Sequence, residues 1–343
     1  MIKDVLQKLT ARQDLTAEEA YSLITAIKND ELSDVQIAGF QVALLMKGPT
    51  LTEISAIAKA MRDHCIHINP NVKEEMMDTC GTGGGLSTFN ISTSVAFVAA
   101  AAGIPVAKHG SRSIASLSGS ADVLESLNVE IHLNPKAVEK LIEEIGIAFL
   151  YAPLFHPVMG KVLPPEKDLG IKTIFYTIIG PLINPTKATR HVMGVYKPEL
   201  LDTVSQVARD LGYKRALFVH GEDGLDEISL LGKTKIKELN EGKITTYEIA
   251  PEDFGFSRCT LEDIATGTPQ ENAEMIRNVF SGKDKGPRRQ AVILNAAGAL
   301  MIGDRADSFA EGIKLAGELI DSGAAEAKLN QLITASNDLK AVK

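Results

Sequence analysis

The residues best suited to chemistry lie in one polar, glycine-rich stretch, DTCGTGGGLSTFNISTS at positions 78–94. It follows a short apolar run and precedes an Ala-rich helical pattern. A strand, a glycine turn and a helix N-terminus together direct several backbone N–H groups at one point, where an anion is stabilised. The stretch therefore predicts a phosphate or pyrophosphate site, with a helix-capping turn as the alternative. The expected contacts are the backbones of Gly81, Gly83, Gly84 and Gly85 and the side chains of Thr88, Asn90, Ser92 and Thr93.

A second polar cluster, KHGSRSIASLSGSADVLESL at 108–127, follows directly. Lys108 and His109 stand at the predicted end of a strand, where ligands bind in α/β sheets. Lys108 supplies a point charge for phosphate, and Arg112 supplies a bidentate donor. For His109 a structural role is the alternative. A further polar loop ahead of a helix contains Ser116, Ser118, Gly119 and Ser120.

A third cluster, HGEDGLDEIS at 220–229, carries the carboxylates Glu222, Asp223, Asp226 and Glu227. Adjacent carboxylates on a loop are what Mg²⁺ uses when it bridges a protein to a substrate phosphate. The alternative is an acidic, solvated turn. Two phosphate-binding loops earlier in the chain favour the magnesium site.

The composition excludes some classes of function. The chain has 343 residues, 45% of them hydrophobic, and a net charge of -8, which argues against nucleic-acid binding. Cys65, Cys80 and Cys259 lack metal-ligand spacing, and we interpret Cys80 as a small buried residue and not a nucleophile. The segment MIKDVLQKLT has no apolar signal core, and the run at 95–107 is too short to span a membrane. We therefore expect a cytoplasmic protein that does not bind membranes.

The element pattern predicts two parts. Three capping boxes begin helices in the first seventy residues, at Thr16, Ser33 and Thr50. From residue 76 short apolar runs alternate with helices, which predicts an α/β domain. The fold class is therefore a small all-helical N-terminal domain, 1–72, joined to a larger α/β domain, 73–343, with a central mixed sheet flanked by helices. The segment 164–190 is expected to be a crossover that returns to the helical part. RALFVHG, EISLLG and TKIKELN are predicted strands, and Asn295 is predicted to cap a helix.

The ordered set GTGG, TFNIST, VAKHG, SGSADVLE, APLFHP, GPLINP, HGEDGLDEIS and LNAAGAL covers nearly the whole chain and resembles anthranilate phosphoribosyltransferases. The wider group includes the pyrimidine nucleoside phosphorylases. The resemblance implies a glycosyltransferase of tryptophan biosynthesis that transfers the phosphoribosyl group of 5-phosphoribosyl 1-pyrophosphate (PRPP) to the amine of anthranilate. It also implies Mg²⁺ and a homodimer formed through the helical domains.

The resemblance also implies a role for individual residues. The donor would be held at the glycine loop, Lys108 and Ser120, the metal at Ser92, Asp226 and Glu227, and the acceptor along a channel. The donor positions are Gly81, Thr82, Gly83, Gly84, Thr88, Asn90, Ser92, Thr93, Lys108 and Ser120; the acceptor positions are His109, Ser111, His156, Glu166 and Pro181.

Four departures from the family pattern fall on site positions. The loop runs GTGG directly into Gly85, so the Asp of the pattern GTGGD-G is missing, and Ser111 replaces the Asn of KHGN. Glu166 stands where the family has the Arg that pairs with the anthranilate carboxylate, with Lys167 and Lys172 as possible substitutes. TIFYTIIGP is one residue longer than TIFN-x-x-GP, with Tyr176 at the Asn position.

Three interpretations therefore stay open at this point. The chain is an anthranilate phosphoribosyltransferase, a paralogue with the same fold and donor but a different aromatic or amine acceptor, or a non-catalytic binding protein that keeps the pocket. Nucleoside phosphorylase activity is a minor fourth possibility.

Overall fold

The N-terminal part of the chain is helical. The computed structural model describes residues 1–113 and 117–341. The three predicted capping boxes are present: the hydroxyls of Thr16, Ser33 and Thr50 each accept a hydrogen bond from the backbone N–H three residues further on, and each partner side chain bonds back. They begin the second, third and fourth of the helices α1 (Ile2–Thr10), α2 (Ala17–Lys28), α3 (Asp34–Lys47) and α4 (Leu51–Asp63).

A seven-stranded sheet forms the centre of the larger domain. Its strands are β1 (Met77–Asp78), β2 (Val106–Gly110), β3 (Ile147–Tyr151), β4 (Arg190–Gly194), β5 (Arg215–Gly221), β6 (Thr234–Asn240) and β7 (Lys243–Ile249). Their spatial order is β3-β2-β1-β4-β5-β6-β7; the first five are parallel and the last two add antiparallel pairs. The short β1 lies in the middle, with Met77 opposite both Val106 and Arg190. The predicted mixed sheet is confirmed, although β7 was not foreseen.

The other helices of the described ranges flank this sheet or, between residues 159 and 182, pack against the N-terminal helices. They are α5 (Ile91–Ala101), α6 (Ser120–Ser126), α7 (Pro135–Ile145), α8 (Ala152–Phe155), α9 (Met159–Leu169), α10 (Gly180–Leu182), α11 (Leu200–Asp210), α12 (Pro269–Phe280), α13 (Pro287–Ile302), α14 (Phe309–Asp321) and α15 (Ala324–Ala341). A π-helix, Phe175–Ile179, precedes α10. Helix α5 is almost wholly buried against α13 and α15, which explains why its sequence is apolar on every face. No helix in the described ranges is both long and apolar enough to cross a membrane.

The segment after β3 packs against the N-terminal helices. Residues from Val158 to Ile183 share a hydrophobic cluster with α1–α4, and the Phe175 ring meets Phe40 edge-on, with 6.2 Å between ring centroids. The same cluster continues under β4, β5 and α11. Two separate stretches of chain thus build the helical lobe, and one of them comes from the α/β part.

Two local predictions were wrong, for one shared reason. EISLLG forms no strand, and Asn295 lies inside α13 and not at its start. The Asn295 side chain accepts from the Ile228 N–H at 2.8 Å and donates to the Ile228 carbonyl at 2.8 Å. A buried amide thereby takes the place of a neighbouring strand and satisfies the backbone of this segment.

Asn295→Ala should lower the free energy of unfolding by about 2 to 4 kcal/mol, because it leaves a buried N–H and a buried carbonyl unpaired. Denaturant titration followed by circular dichroism measures this. Asn330→Ala, on the exposed side of α15, is the matched control and should shift stability by no more than about 0.5 kcal/mol. Equal effects of both substitutions would contradict the bridging role of Asn295.

Candidate active site

A cavity of about 550 Å³ opens where the carboxyl ends of β1 to β4 meet the segment 152–183. This is the edge at which open α/β sheets bind ligands. It brings together every predicted donor residue, every predicted metal residue and four of the five predicted acceptor residues. Its wall includes Gly81, Thr82, Gly83, Gly84, Thr88, Asn90, Ser92, Thr93, Lys108, His109, Ser111, Ser120, His156, Pro181, Asp226 and Glu227. Ser116, in the second predicted cluster, lies outside the described residues.

The glycine loop runs tightly along the end of β4. The Thr82 N–H donates to the Gly194 carbonyl at 2.9 Å, and the Thr82 hydroxyl accepts from the Tyr196 N–H at 3.0 Å. Gly83 and Gly84 have φ of 61° and 91°, a region that side chains disfavour. A Cβ on Gly81 would lie 3.1 Å from the Gly194 carbonyl oxygen. The glycines are therefore needed for the course of the loop as well as for access to a ligand.

The N-terminus of α5 faces the same cavity. Its N-cap residue, Asn90, is held by Asn272, whose amide donates to Asn90 Oδ1 at 2.9 Å. Within the first turn, Ser92 and Thr93 line the cavity, and the buried Thr93 hydroxyl has no hydrogen-bond partner among the described residues. A buried hydroxyl without a partner at a helix N-terminus fits an anionic ligand or its bound metal.

Asp78, which sequence reasoning passed over, anchors this region. Its carboxylate is buried and accepts from the backbone N–H groups of Thr79, Cys80 and His109 at 2.7, 3.1 and 3.1 Å. Asn184 donates to the other oxygen at 2.8 Å. The only sequence signal was an acidic residue between an apolar run and a glycine loop. One carboxylate therefore fixes the glycine loop, the end of β2 and the crossover segment together.

The two cations of the second cluster, Lys108 and Arg112, differ in whether they can bind a phosphate. Lys108 is buried, and its ammonium donates to the Thr79 hydroxyl at 3.3 Å, at the base of the glycine loop. Arg112, in contrast, is held by Asp122 and Glu125. Lys108 is thus placed for a phosphate, whereas the guanidinium of Arg112 is already engaged. Burial raises the pKa of the Cys80 thiol to about 12, which agrees with a structural role.

The acidic turn divides into a pair of carboxylates that hold the turn together and a pair that lines the cavity. Asp223 accepts from the Leu225 N–H and the Ser229 hydroxyl, and Glu222 accepts from the Lys233 N–H. Asp226 and Glu227 line the cavity and take part in none of the ion pairs found among the described residues. Burial raises the pKa of Asp226; burial and the Asp226 charge raise that of Glu227 to about 8.

These two carboxylates fit a divalent cation. In the described parts of the chain no three His, Cys, Asp or Glu side chains are grouped to hold a metal alone. Mg²⁺ needs no such group, because it binds through one or two carboxylates together with water and substrate phosphates. Asp226 and Glu227 would hold it, together with the Ser92 hydroxyl, whose backbone lies next to Glu227.

His109 and His156 form a buried pair in the cavity wall. Their Nε2 atoms are 2.9 Å apart and their rings meet edge-on. Burial is the main cause that lowers the pKa of both rings to about 3. Since one Nε2 must donate and the other accept, the two neutral rings carry opposite tautomers. In the part of the chain that the structure describes, neither Nδ1 atom has a hydrogen-bond partner.

The far end of the cavity is apolar and aromatic. Helix α9, the π-helix and α10 contribute it, and its members are Met159, Leu163, Phe175, Tyr176 and Pro181. The extra residue in TIFYTIIGP coincides with the π-helix, the form in which a helix absorbs one added residue. The segment keeps its length along the axis and presents the Tyr176 ring to the cavity.

The prediction that Glu166 contacts the acceptor is wrong, because Glu166 does not line this cavity. Its carboxylate is buried between α9 and α3, where it accepts from the Thr173 hydroxyl and, at 3.5 Å, from the Gln41 amide. Burial raises its pKa. These donors belong to the helical lobe, so they draw the side chain away from the acceptor end.

Comparison with known proteins agrees with this architecture. Two models of a glycosyl transferase family match the chain: a helical bundle domain at residues 3–65 and an a/b domain at residues 73–326. An anthranilate phosphoribosyltransferase of Desulfosudis oleivorans is 48% identical over 334 residues, 97% of this chain and 98% of the relative. The chain belongs to the anthranilate phosphoribosyltransferase family.

Solved structures of the anthranilate phosphoribosyltransferase family share the whole fold. The crystal structure of the Thermus thermophilus member has a TM-score of 0.91 at 39% identity, covering 97% of this chain and 99% of that one. The Saccharomyces cerevisiae member in complex with PRPP and Mg has a TM-score of 0.89 at 29% identity, covering 98% of each chain. The predicted family and fold class are confirmed.

The histidine pair predicts a pH effect on stability. The folded pKa values lie below the unfolded value of about 6.5, so between pH 7 and 5 the unfolded chain takes up protons that the folded chain does not. Stability should therefore fall as the pH falls, by roughly 1 to 2 kcal/mol for each ring. His156→Gln should make this loss smaller by that amount, as measured by urea unfolding at several pH values.

The exposed His132 provides the control, since His132→Gln makes the same replacement at the surface. Nitrogen-15 NMR of the wild-type imidazoles should also show one ring protonated on Nε2 and the other on Nδ1. An unchanged pH slope in His156→Gln, or a charged pair at pH 6, would show that burial does not keep these rings neutral.

Proposed function

We propose that this protein transfers the 5-phosphoribosyl group of PRPP to the amine of anthranilate and releases pyrophosphate, in tryptophan biosynthesis. One observation carries the proposal: a single cavity has an N–H-rich, acidic and cationic end next to an apolar, aromatic end. A donor with phosphates at two positions needs the first end, and an aromatic amine needs the second. The names of the relatives support the same donor and acceptor.

The donor end binds through backbone and side-chain donors. Gly81–Gly84 and the first turn of α5 supply N–H groups and hydroxyls to the pyrophosphate, with Thr88, Asn90 and Ser120 at the edges. Lys108 neutralises phosphate charge from the floor. The positive end of the α5 dipole adds to this field. The donor is thus fixed with its leaving group against the most positive wall.

Mg²⁺ would be held by Asp226, Glu227 and Ser92, as the fit of the carboxylates indicates. When bound, it stabilises negative charge on the departing pyrophosphate. The complex of the yeast relative with PRPP and Mg supports this use. The glycine loop lacks the family's Asp, so these three residues carry the metal without a carboxylate from the loop.

The transfer itself needs little acid–base chemistry. The nitrogen lone pair of the acceptor amine forms the bond to C1 of the ribose. The bond between C1 and the pyrophosphate oxygen breaks, and its electron pair leaves with that oxygen. The amine then loses one proton to pyrophosphate or water. Holding the reactants in line and stabilising the leaving charge account for catalysis.

The acceptor lies against the aromatic end, beside His109, Ser111, His156 and Pro181. The two neutral, buried imidazoles form part of the wall beside the acceptor. Ser111 and Tyr176 change the shape of this end relative to the family pattern. Because of these two differences, the alternative to anthranilate is another aromatic amine as the acceptor.

The helical lobe is the proposed dimer surface. On α3 the apolar side chains Val35, Val42, Leu45 and Met46 are 81, 37, 41 and 71% exposed and fall on one face. A row of large apolar residues in water is typical of a protein contact. We also expect the homodimer to work in the cytoplasm, since its three cysteines are free thiols.

The direct test uses the fluorescence of anthranilate, which falls strongly on phosphoribosylation. Protein, PRPP, Mg²⁺ and anthranilate should together produce a decay that omission of any one component prevents. No decay, with PRPP still bound in calorimetry, would favour the paralogue with another acceptor. Failure to bind PRPP would favour the non-catalytic protein.

Asp226→Asn should weaken PRPP binding in the presence of Mg²⁺ by about tenfold or more, because the metal loses a charged ligand. In the absence of Mg²⁺ the variant and the wild type should bind PRPP alike. Glu222→Gln, an exposed change in the same turn, is the matched control and should bind as the wild type does. Calorimetric titration with PRPP measures all three. If Asp226→Asn bound PRPP as tightly as the wild type in the presence of Mg²⁺, Asp226 would not be a ligand of the metal.

A further inference from the structure

Asn90, the residue before α5, does not cap its own helix. An asparagine at this position usually accepts a hydrogen bond from an N–H group of the first turn. Asn134 does so at the start of α7, where its Oδ1 accepts from the Ala137 N–H at 3.0 Å. The side chain of Asn90 forms no such bond with α5, all of which lies in the described ranges. The first turn of α5 is thus left open on the side of the cavity.

The Asn90 oxygen is held by a residue behind the cavity instead. Asn272, in α12, is fully buried and is not among the described residues of the cavity wall. Its Nδ2 donates to Asn90 Oδ1 at 2.9 Å and to the Thr266 hydroxyl at 3.0 Å. The Ser118 hydroxyl donates to the same Asn90 oxygen at 3.3 Å. Two donors thus occupy this oxygen, one from α12 and one from the second polar cluster.

A backbone group fixes the direction of both amides. The Gly267 N–H can only donate, and it donates to Asn272 Oδ1 at 2.8 Å. The Asn272 nitrogen must therefore point to Asn90, and the Asn90 atom that it meets must be the acceptor of that amide, its oxygen. The nitrogen is consequently the end of the Asn90 amide that is left for the cavity. One of its hydrogens has a 3.5 Å contact with the Ser118 carbonyl, so the other can be donated to a ligand.

We propose that Asn272 is a positioning residue for the phosphoribosyl donor: it turns the Asn90 side chain so that the start of α5 stays uncapped and the Asn90 amide nitrogen faces the pyrophosphate. This inference rests on the proposed transferase function and deepens it. An Asn90 amide turned the other way would present an oxygen to a phosphate oxygen and repel it. An Asn90 oxygen that capped α5 would compete with the phosphate for the same N–H groups. Asn272 prevents both arrangements without touching the ligand.

The first experiment is a double-mutant cycle with PRPP binding as its readout. Calorimetry in the presence of Mg²⁺ gives the PRPP affinity of the wild type, of Asn272→Ala, of Asn90→Ala and of the double variant. Asn272→Ala should weaken PRPP binding by about tenfold, as the loss of one hydrogen bond to a charged group does. In the Asn90→Ala background the same change should have little further effect, because no amide is left to orient. An equal loss in both backgrounds would contradict the inference.

Thr266→Val is the matched control, since it removes the other partner of the Asn272 nitrogen and keeps the shape of the side chain. This variant should bind PRPP as the wild type does. In the transfer assay Asn272→Ala should raise the KM for PRPP and leave the KM for anthranilate as it is. A rise in both KM values would indicate a general loosening of the site and would overturn the positioning role.

Asn272→Asp serves where Asn272→Ala does not fold, because its carboxylate still accepts from the Gly267 N–H. When this carboxylate is ionised, its second oxygen can only accept, so the Asn90 amide turns its oxygen to the ligand. The PRPP affinity relative to the wild type should therefore fall by about tenfold or more at about pH 8.5. It should recover toward about pH 6, where the protonated carboxyl donates to the Asn90 oxygen again. Binding as tight as that of the wild type at the higher pH would refute the inference.

The two proposals fail in different ways. If the wild type binds PRPP but does not convert anthranilate, the transfer is refuted, and the double-mutant cycle still decides the role of Asn272. If the wild type converts anthranilate while the Asn272 variants bind PRPP as tightly as it does, the transfer stands and the positioning role is refuted. A wild type that binds neither PRPP nor pyrophosphate in the presence of Mg²⁺ would refute both.

Discussion

The buried carboxylate of Asp78 is the constraint on which the site depends. Asp78 is the last residue of β1, the shortest strand of the sheet, and its carboxylate accepts hydrogen bonds from Thr79, Cys80, His109 and Asn184. A buried carboxylate is tolerated only where such donors compensate for lost solvation. These donors come from the loop, from the end of β2 and from the crossover segment. The donor and acceptor ends of the cavity are therefore fixed relative to each other by one group that need not touch either substrate.

Beyond this anchor, several buried polar groups of the cavity take part in none of the ion pairs found among the described residues. Lys108, Asp226 and Glu227 are three of them, although Lys108 lies near enough to Glu227 for its charge to lower the pKa of that carboxyl. The Thr93 hydroxyl also has no hydrogen-bond partner in the described ranges. Burying such groups without a partner costs free energy, and a bound ligand that pairs with them recovers that cost. Together they match a ligand that brings phosphates and a divalent metal at once.

Local signals were predictable from the sequence, and contacts between distant segments were not. The capping boxes at Thr16, Ser33 and Thr50 and the glycine loop are recognised within a few residues, because their hydrogen bonds join near neighbours. Glu166 and Asn295 were misread for the opposite reason. Gln41 lies 125 residues from Glu166, and Ile228 lies 67 residues from Asn295. Asp78 was missed because two of its partners, His109 and Asn184, reach it only after the sheet has formed.

The two changes of length in the site act on different ends of the cavity. The glycine loop lost one residue and now runs directly into Gly85, where a Cβ would lie 2.7 Å from the Asp226 carboxylate. The crossover gained one residue and absorbed it as the π-helix that carries Tyr176. The first change brings the loop against Asp226, and the second places an aromatic ring in the wall at the far end of the cavity. The glycine loop and the crossover are separate segments that build different ends of the cavity, so a change of length in one need not move the other.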